Sequence, residues 1–218
     1  MKAFKFNSQM EVLGHMPKFD QSIVKEEPMF FNSSIEYAYE HGGPITKAFL
    51  DSLPNKDTVD YVFDSRVHML MEGFYPCIPG WHHDDVPRST ANGQPNYINP
   101  EYHSDHILGL VNGDICPTEF CIGEAEMPDV DEGEVYYRVW HERLEESIKA
   151  GKLQVVPAAN DPIIKFDAHS FHRGQQALKG GWRWFGRVSW NTDRCNNKTN
   201  EIRKQVQVYI PSPDHRGW

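Results

Sequence analysis

The sequence predicts a mainly β chain with flanking helices, and three observations carry that expectation. Short apolar runs bounded by Gly, Pro, Asn and Asp dominate the chain after Asp60. Helical spacing of apolar residues is confined to two segments, 32–54 and 135–150. Internal repeats and low-complexity tracts are absent from the sequence.

Residues 1–30 are mixed and interrupted by proline, with an apolar cluster at Met29-Phe30-Phe31, and are expected to join a helical cover over 1–59. Asn32-Ser33-Ser34 offers an N-cap for a helix over Ile35–His41, which Gly42-Gly43 ends. Pro44 suits a first helical turn, and Ile45, Ala48, Phe49 and Leu53 keep helical spacing until Pro54. The strand candidates that follow are Arg66–Tyr75, His106–Val111, Ile115–Ile122, Leu153–Val156 and Pro162–Phe166. Lys179-Gly180-Gly181 predicts a tight turn from the 162–174 segment into a returning strand, Trp182–Trp190. The period of a strand puts Arg183, Phe185, Arg187 and Ser189 on one face of it and Trp182, Trp184, Val188 and Trp190 on the other. A hairpin there would set the arginine face beside His172.

Between these strands Tyr136, Val139, Trp140, Leu144 and Ile148 recur at helical steps, and Gly151 suits the stop. An inserted helix over 135–150 is expected as structural cover and as a candidate lid, with His141 on its surface. The acidic run Gly123–Glu134 is expected to be a solvated loop, and its spacing does not match a calcium loop. Gln205–Ile210 alternates as a closing strand before a tail over 211–218.

At 218 residues and 25.2 kDa the chain has the size of one domain with a substantial core. Its four cysteines form no Cys-x-x-Cys pair and are expected as reduced thiols. With neither a signal-type apolar run at the N-terminus nor a membrane-length apolar stretch, a cytoplasmic, membrane-independent protein is expected. A net charge of −9 argues against nucleic acid as partner, since phosphate binding draws on clustered Lys and Arg. A small-molecule substrate is the expected partner.

Chemistry concentrates at Gly80-Trp81-His82-His83-Asp84-Asp85, at Phe171-His172 and at Arg183/Arg187. Two imidazoles and a carboxylate occupy one face of an octahedral ferrous ion and leave the other positions open. His-x-Asp alone is weak: with 11 histidines, about one such pair is expected by chance. The chain has His82/Asp84, His83/Asp85 and His103/Asp105, and only the first two follow a strand-like run. Residues i and i+2 on a strand face the same side, so either of those two can supply two ligands to one ion. Surface arginines stacked on tryptophan are the ordinary alternative for Arg183 and Arg187 taken singly.

Trp81-His82-x-Asp84, His172 and Arg183-x-x-x-Arg187-Val-Ser189 together resemble the iron(II)- and 2-oxoglutarate-dependent dioxygenases. The offsets of 11 and 15 residues from His172 to Arg183 and Arg187 look like the taurine dioxygenase branch. Trp-His-x-Asp-Asp looks like the phytanoyl-CoA hydroxylase branch. The resemblance implies a double-stranded β-helix core (a cupin-like jelly-roll) over roughly residues 60–192. It implies His82, Asp84 and His172 as Fe(II) ligands and Arg183 as the clamp on the far carboxylate of 2-oxoglutarate. Arg187, with Ser189, competes for that clamp, and Thr118 is a candidate hydroxyl for the co-substrate. The implied reaction uses O2 and releases succinate and CO2 while hydroxylating an unactivated C–H bond of a small, anionic substrate. Two rival readings share the same residues: a cupin-like metal site without 2-oxoglutarate, and a non-enzymatic jelly-roll with a tryptophan-rich binding face.

Overall fold

The computed structural model describes residues 3–131 and 133–211. The described residues form twelve strands: β1 (Ala3–Ser8), β2 (Glu11–His15), β3 (Met29–Phe31), β4 (Ser33–Ser34), β5 (Val62–Leu70), β6 (Asp105–Val111), β7 (Thr118–Pro128), β8 (Gln154–Pro157), β9 (Pro162–Asp167), β10 (His172–Gly174), β11 (Gly181–Trp190) and β12 (Glu201–Arg203). Four α-helices accompany them: α1 (Gln21–Glu26), α2 (Ile35–His41), α3 (Pro44–Asp51) and α4 (Tyr136–Lys149). A large sheet runs β2-β9-β6-β11-β5-β4, and a smaller one joins β1, β8 and β10 to β7. All pairings are antiparallel.

From β5 onward the chain alternates between the sheets. It leaves β5 for a single bridge at His82 beside β10, returns to β6, and crosses to β7 and β8. It then goes back to β9, over to β10 and back again to β11. That alternation is a jelly-roll. Its interior holds Leu108, Leu110, Phe120, Ile164 and Phe166, while the outer face of the large sheet packs Phe63, Val67, Trp184 and Val188 against Ile45 and Phe49 of α3.

The helices follow their local signals. Ser34 Oγ accepts from Tyr37 N–H at 3.1 Å and caps α2. The buried Glu27 carboxylate accepts from Ile45 and Thr46 N–H at 3.2 and 2.9 Å, which satisfies the N-terminus of α3 that Gly43 cannot cap. α4 packs Tyr136, Tyr137, Trp140 and Leu144 on Phe4, Phe6 and Phe171.

Four expectations need correction. Residues 3–15 are two strands, not helical cover: Phe4, Phe6 and Ser8 alternate into the core, and β1 finds its partner in β7. β7 starts at Thr118 and continues through the first part of the acidic run, because Ala125 and Met127 are buried while Glu126 lies opposite Lys5. The 162–174 segment does not pair with β11. It splits into β9, which joins β6 and β2, and β10, which joins β7, while β11 lies between β5 and β6. Gln205–Ile210 is not a strand; only Tyr209 bridges to Tyr75, and the closing strand is β12 on β3. The tail 212–218 lies outside the described residues.

Gly109 and Gly186 sit opposite each other on β6 and β11. A Cβ on Gly109 would lie 2.6 Å from the Phe49 ring, and one on Gly186 would overlap the Trp184 ring. The two bare positions form the groove in which those rings lie. Gly109→Ala is expected to destabilise by about 1–3 kcal/mol through overpacking. Gly14→Ala, with open space around it, is expected to be neutral or slightly stabilising. Urea unfolding of the two variants checks both.

Candidate metal centre

His82 and His172 come from distant parts of the chain and are held side by side by two reciprocal backbone hydrogen bonds, each 3.1 Å. Their ring centroids are 4.6 Å apart. Each ring is fixed by its own backbone: Nδ1 of His82 meets the Gly80 carbonyl at 2.9 Å, and Nδ1 of His172 meets the Ser170 carbonyl at 2.9 Å. A carbonyl only accepts, so both Nδ1 atoms carry a proton, and in the neutral tautomer so fixed Nε2 is the atom that offers a lone pair. Those lone pairs converge on Asp84, whose two oxygens lie 3.9 Å from His82 Nε2 and 3.1 Å from His172 Nε2. The three ligand atoms lie within 4.8 Å of one another. Burial first, and the neighbouring His172 second, bring His82 down to about 4, so its imidazole is neutral near neutral pH.

This donor set fits a divalent transition ion. Two imidazole nitrogens on rings oriented through Nδ1 and one ionised carboxylate make a facial set that leaves ligand positions open toward a cavity. His83 and Asp85 diverge from it. The His83 ring lies 3.9 Å from that of Phe171, with Nδ1 2.8 Å from Tyr97 Oη, whereas Asp85 has a left-handed φ of 49° and accepts from Arg194 at 3.0 Å. His103 and Asp105 also part: His103 Nε2 is 3.5 Å from Asp167, and Asp105 accepts from Asn191 at 2.7 Å.

A cavity of about 530 Å³ opens beside the three residues. The inner faces of β5 and β11 line it in register, with His68 opposite Arg183, Arg66 opposite Phe185, and Asp64 opposite Arg187. Arg183 is buried, and its Nη2 donates to Thr118 Oγ1 at 2.9 Å while its Nε has no hydrogen-bond partner. The expected face of β11 therefore reaches the site, but across the cavity from the large sheet rather than through a hairpin.

Arg187 is otherwise engaged. It donates to Asp84 and lies 3.5 Å from Asp85 and 3.7 Å from Asp64, while Arg194 pairs with the same Asp64 and Asp85. Burial pushes the Asp84 carboxyl up, but Arg187 and then His172 outweigh it and hold the group well below the usual carboxylate range. Burial likewise opposes the charge on Arg187, and Asp84, Asp85 and Asp64 override it. Ser189 does not line the cavity; its hydroxyl meets buried His106 Nδ1 at 2.8 Å behind this network.

α4 braces the metal loop. Its Glu145 accepts from Trp81 Nε1 at 2.8 Å and from Arg173 at 2.7 Å, and the Arg173 guanidinium stacks 4.1 Å over the Trp81 ring. His141, expected on the surface, accepts from Trp81 N–H at 3.3 Å.

Sequence reasoning missed Asp64, Arg66, His68, Arg194 and Arg203 as cavity residues. For the first three a signal existed: they alternate on the strand Val62–Leu70 against Phe63 and Val67, polar residues on what becomes the inner face.

Two outcomes follow from these burials. Arg187→Met leaves half-buried Asp84 without its guanidinium and buried Asp64 and half-buried Asp85 with Arg194 alone, and is expected to cost about 3 kcal/mol in urea unfolding. His68 is brought down from its ordinary 6.5 to about 3, by burial and then by Arg183, so the unfolded chain takes up that proton first. Its contribution is complete above pH 6.5 and is lost as pH falls toward 3, at up to about 1.4 kcal/mol per pH unit. His68→Asn should lower the steepness of the stability–pH curve in that window by about one proton.

No family model and no curated protein matches this chain. Among solved structures, EvdO2 from Micromonospora carbonacea var. aurantiaca, complexed with 2-oxoglutarate, is similar over 76% of this chain, with a TM-score of 0.37 and 11% identity. The chain spans 64% of that protein's length. At that TM-score and identity the likeness transfers neither chemistry nor residue roles.

Proposed function

We propose that this protein is an Fe(II)- and 2-oxoglutarate-dependent oxygenase that hydroxylates an unactivated C–H bond of a small substrate. One arrangement carries the reading: a facial set of buried His82 and His172 with half-buried Asp84 shares a cavity with a buried arginine whose Nε is unpaired. Thr118, which holds Arg183, lies opposite Gly174, two residues along β10 from His172, or about 7 Å at the rise of a strand. That separation suits a five-carbon dicarboxylate with its keto-acid end at the ion and its far carboxylate on Arg183 and the Thr118 hydroxyl.

Bound iron would activate O2 as the oxidant, with 2-oxoglutarate giving two electrons and the substrate C–H bond two, so that one oxygen atom ends in succinate as CO2 leaves and the other in the product hydroxyl. The chain's own residues do the rest. The bonds at Nδ1 of His82 and His172 leave Nε2 of each ring as the atom that would ligate. Arg187 holds Asp84 ionised and oriented. Arg183 fixes the co-substrate's direction through charge-assisted hydrogen bonds, a geometry a lysine would not reproduce. His68, kept neutral beside Arg183, adds no competing cation at that end.

Anaerobic titration of the protein with Fe(II) and 2-oxoglutarate tests this reading. The weak visible charge-transfer band of the chelate should appear in the wild type and vanish in His172→Ala. Arg183→Gln should retain Fe(II) and weaken 2-oxoglutarate about 10- to 100-fold, the range for losing a hydrogen-bonded charge partner. Iron binding without a band would favour a cupin-like site that uses no 2-oxoglutarate. A protein that binds neither would be a jelly-roll scaffold.

A further inference from the structure

We propose that the same cavity holds an oxyanion subsite, built from Arg66 and Arg203, that receives the anionic head group of the substrate. The inference rests on the oxygenase reading for the word substrate, but not for the site itself. Six arginines line the cavity against three aspartates, a formal surplus of three positive charges in a chain whose net charge is −9. Four of the six are occupied. Arg183 bonds Thr118, Arg187 and Arg194 share the three aspartates, and Arg88 donates to the Gly93 carbonyl at 3.2 Å.

Arg66 and Arg203 have no ion pair among the described residues. Opposite Arg66 on β11 stands Phe185, not a carboxylate. Arg203 enters from β12, its guanidinium 4.2 Å over the Phe31 ring and its Nε buried without a hydrogen bond. Burial first and Arg66 second lower the Arg203 pKa, so the two cations repel across this end of the cavity. Both residues are half-buried, and a guanidinium whose Nε is buried without a partner, as in Arg203, is costly unless an anion completes it. Fe(II) and doubly charged 2-oxoglutarate would cancel each other and leave the surplus as it stands. A phosphate or carboxylate on the substrate satisfies both arginines at once. Phe31 holds the plane of Arg203 and limits the entropy lost on binding.

The test is calorimetry on the anaerobic protein loaded with Fe(II) and 2-oxoglutarate, so that Arg183 is already taken, using methyl phosphate, propionate and neutral trimethyl phosphate as probes. Methyl phosphate or propionate should bind with one-to-one stoichiometry and trimethyl phosphate should not. The tighter of the two anions identifies the head group. Arg66→Gln and Arg203→Gln should each weaken the anion at least tenfold, with the charge-transfer band kept and the melting temperature of the anion-free protein unchanged or raised, and Arg66→Lys should recover part of the affinity. Equal binding of trimethyl phosphate, or anion binding indifferent to both substitutions, overturns the subsite. So does anion binding that only Arg183→Gln removes, since the probe then sits in the co-substrate clamp. If no band forms in the wild type but anion binding still needs Arg66 and Arg203, the co-substrate reading falls and the subsite stands.

Discussion

Two backbone hydrogen bonds between His82 and His172 hold the candidate site together. They are an isolated bridge rather than part of a long ladder, so neither histidine is placed by its own strand alone. Each residue then uses its own carbonyl two positions back to fix its ring. Backbone sets both the spacing of the rings and which nitrogen faces Asp84, and no side chain is needed to orient them. The jelly-roll matters because it brings the two segments edge to edge. The large sheet, braced outside by α3, supplies the opposite wall.

The second constraint is electrostatic. Asp64, Asp84 and Asp85 are held close together with little solvent, an arrangement stable only if cations accompany them. Arg187 and Arg194 do so, and each bridges two or more of the carboxylates. Asp84 is consequently ionised and aimed, as a metal ligand needs, while Arg187 is consumed in the process. The two arginines on β11 look alike in the sequence and differ in role because of what faces them. Arg187 meets aspartates, whereas Arg183 meets a threonine hydroxyl and a neutral histidine.

Rigidity around the loop comes from a different source. Trp81, fully buried, is bonded by Glu145 and contacted by His141, so α4 reaches the 80–85 loop through two direct contacts, and Arg173 of β10, itself bonded to Glu145, stacks on the same ring. On the far side of the same turn, His83 and Tyr97 enter the aromatic cluster beneath α4. His82 and Asp84 thus turn toward each other and His172, whereas the ring of His83 between them packs into the aromatic cluster.

Much of this was legible in the residues themselves. The strands of the core, the cap of α2, the helix over 136–149 and the shared face of Arg183, Phe185 and Arg187 all follow from spacing and local backbone preference, which act within a few residues. The His-x-Asp pattern and the downstream His172 were likewise visible as types. The choice between His82 and His83 was not, because a shift of one residue turns a strand over and only the packing of Phe171 and Tyr97 decides which side is buried. Nor were the strand character of residues 3–15, the separation of β9 from β10, or the isolation of Arg66 and Arg203, since each depends on a partner far along the chain. Covalent geometry carries information over i and i+2, and so the sequence by itself determined which side chains share a face. Only the tertiary structure decided what that face meets, because the partners are chosen by sheet pairing and burial across the whole fold.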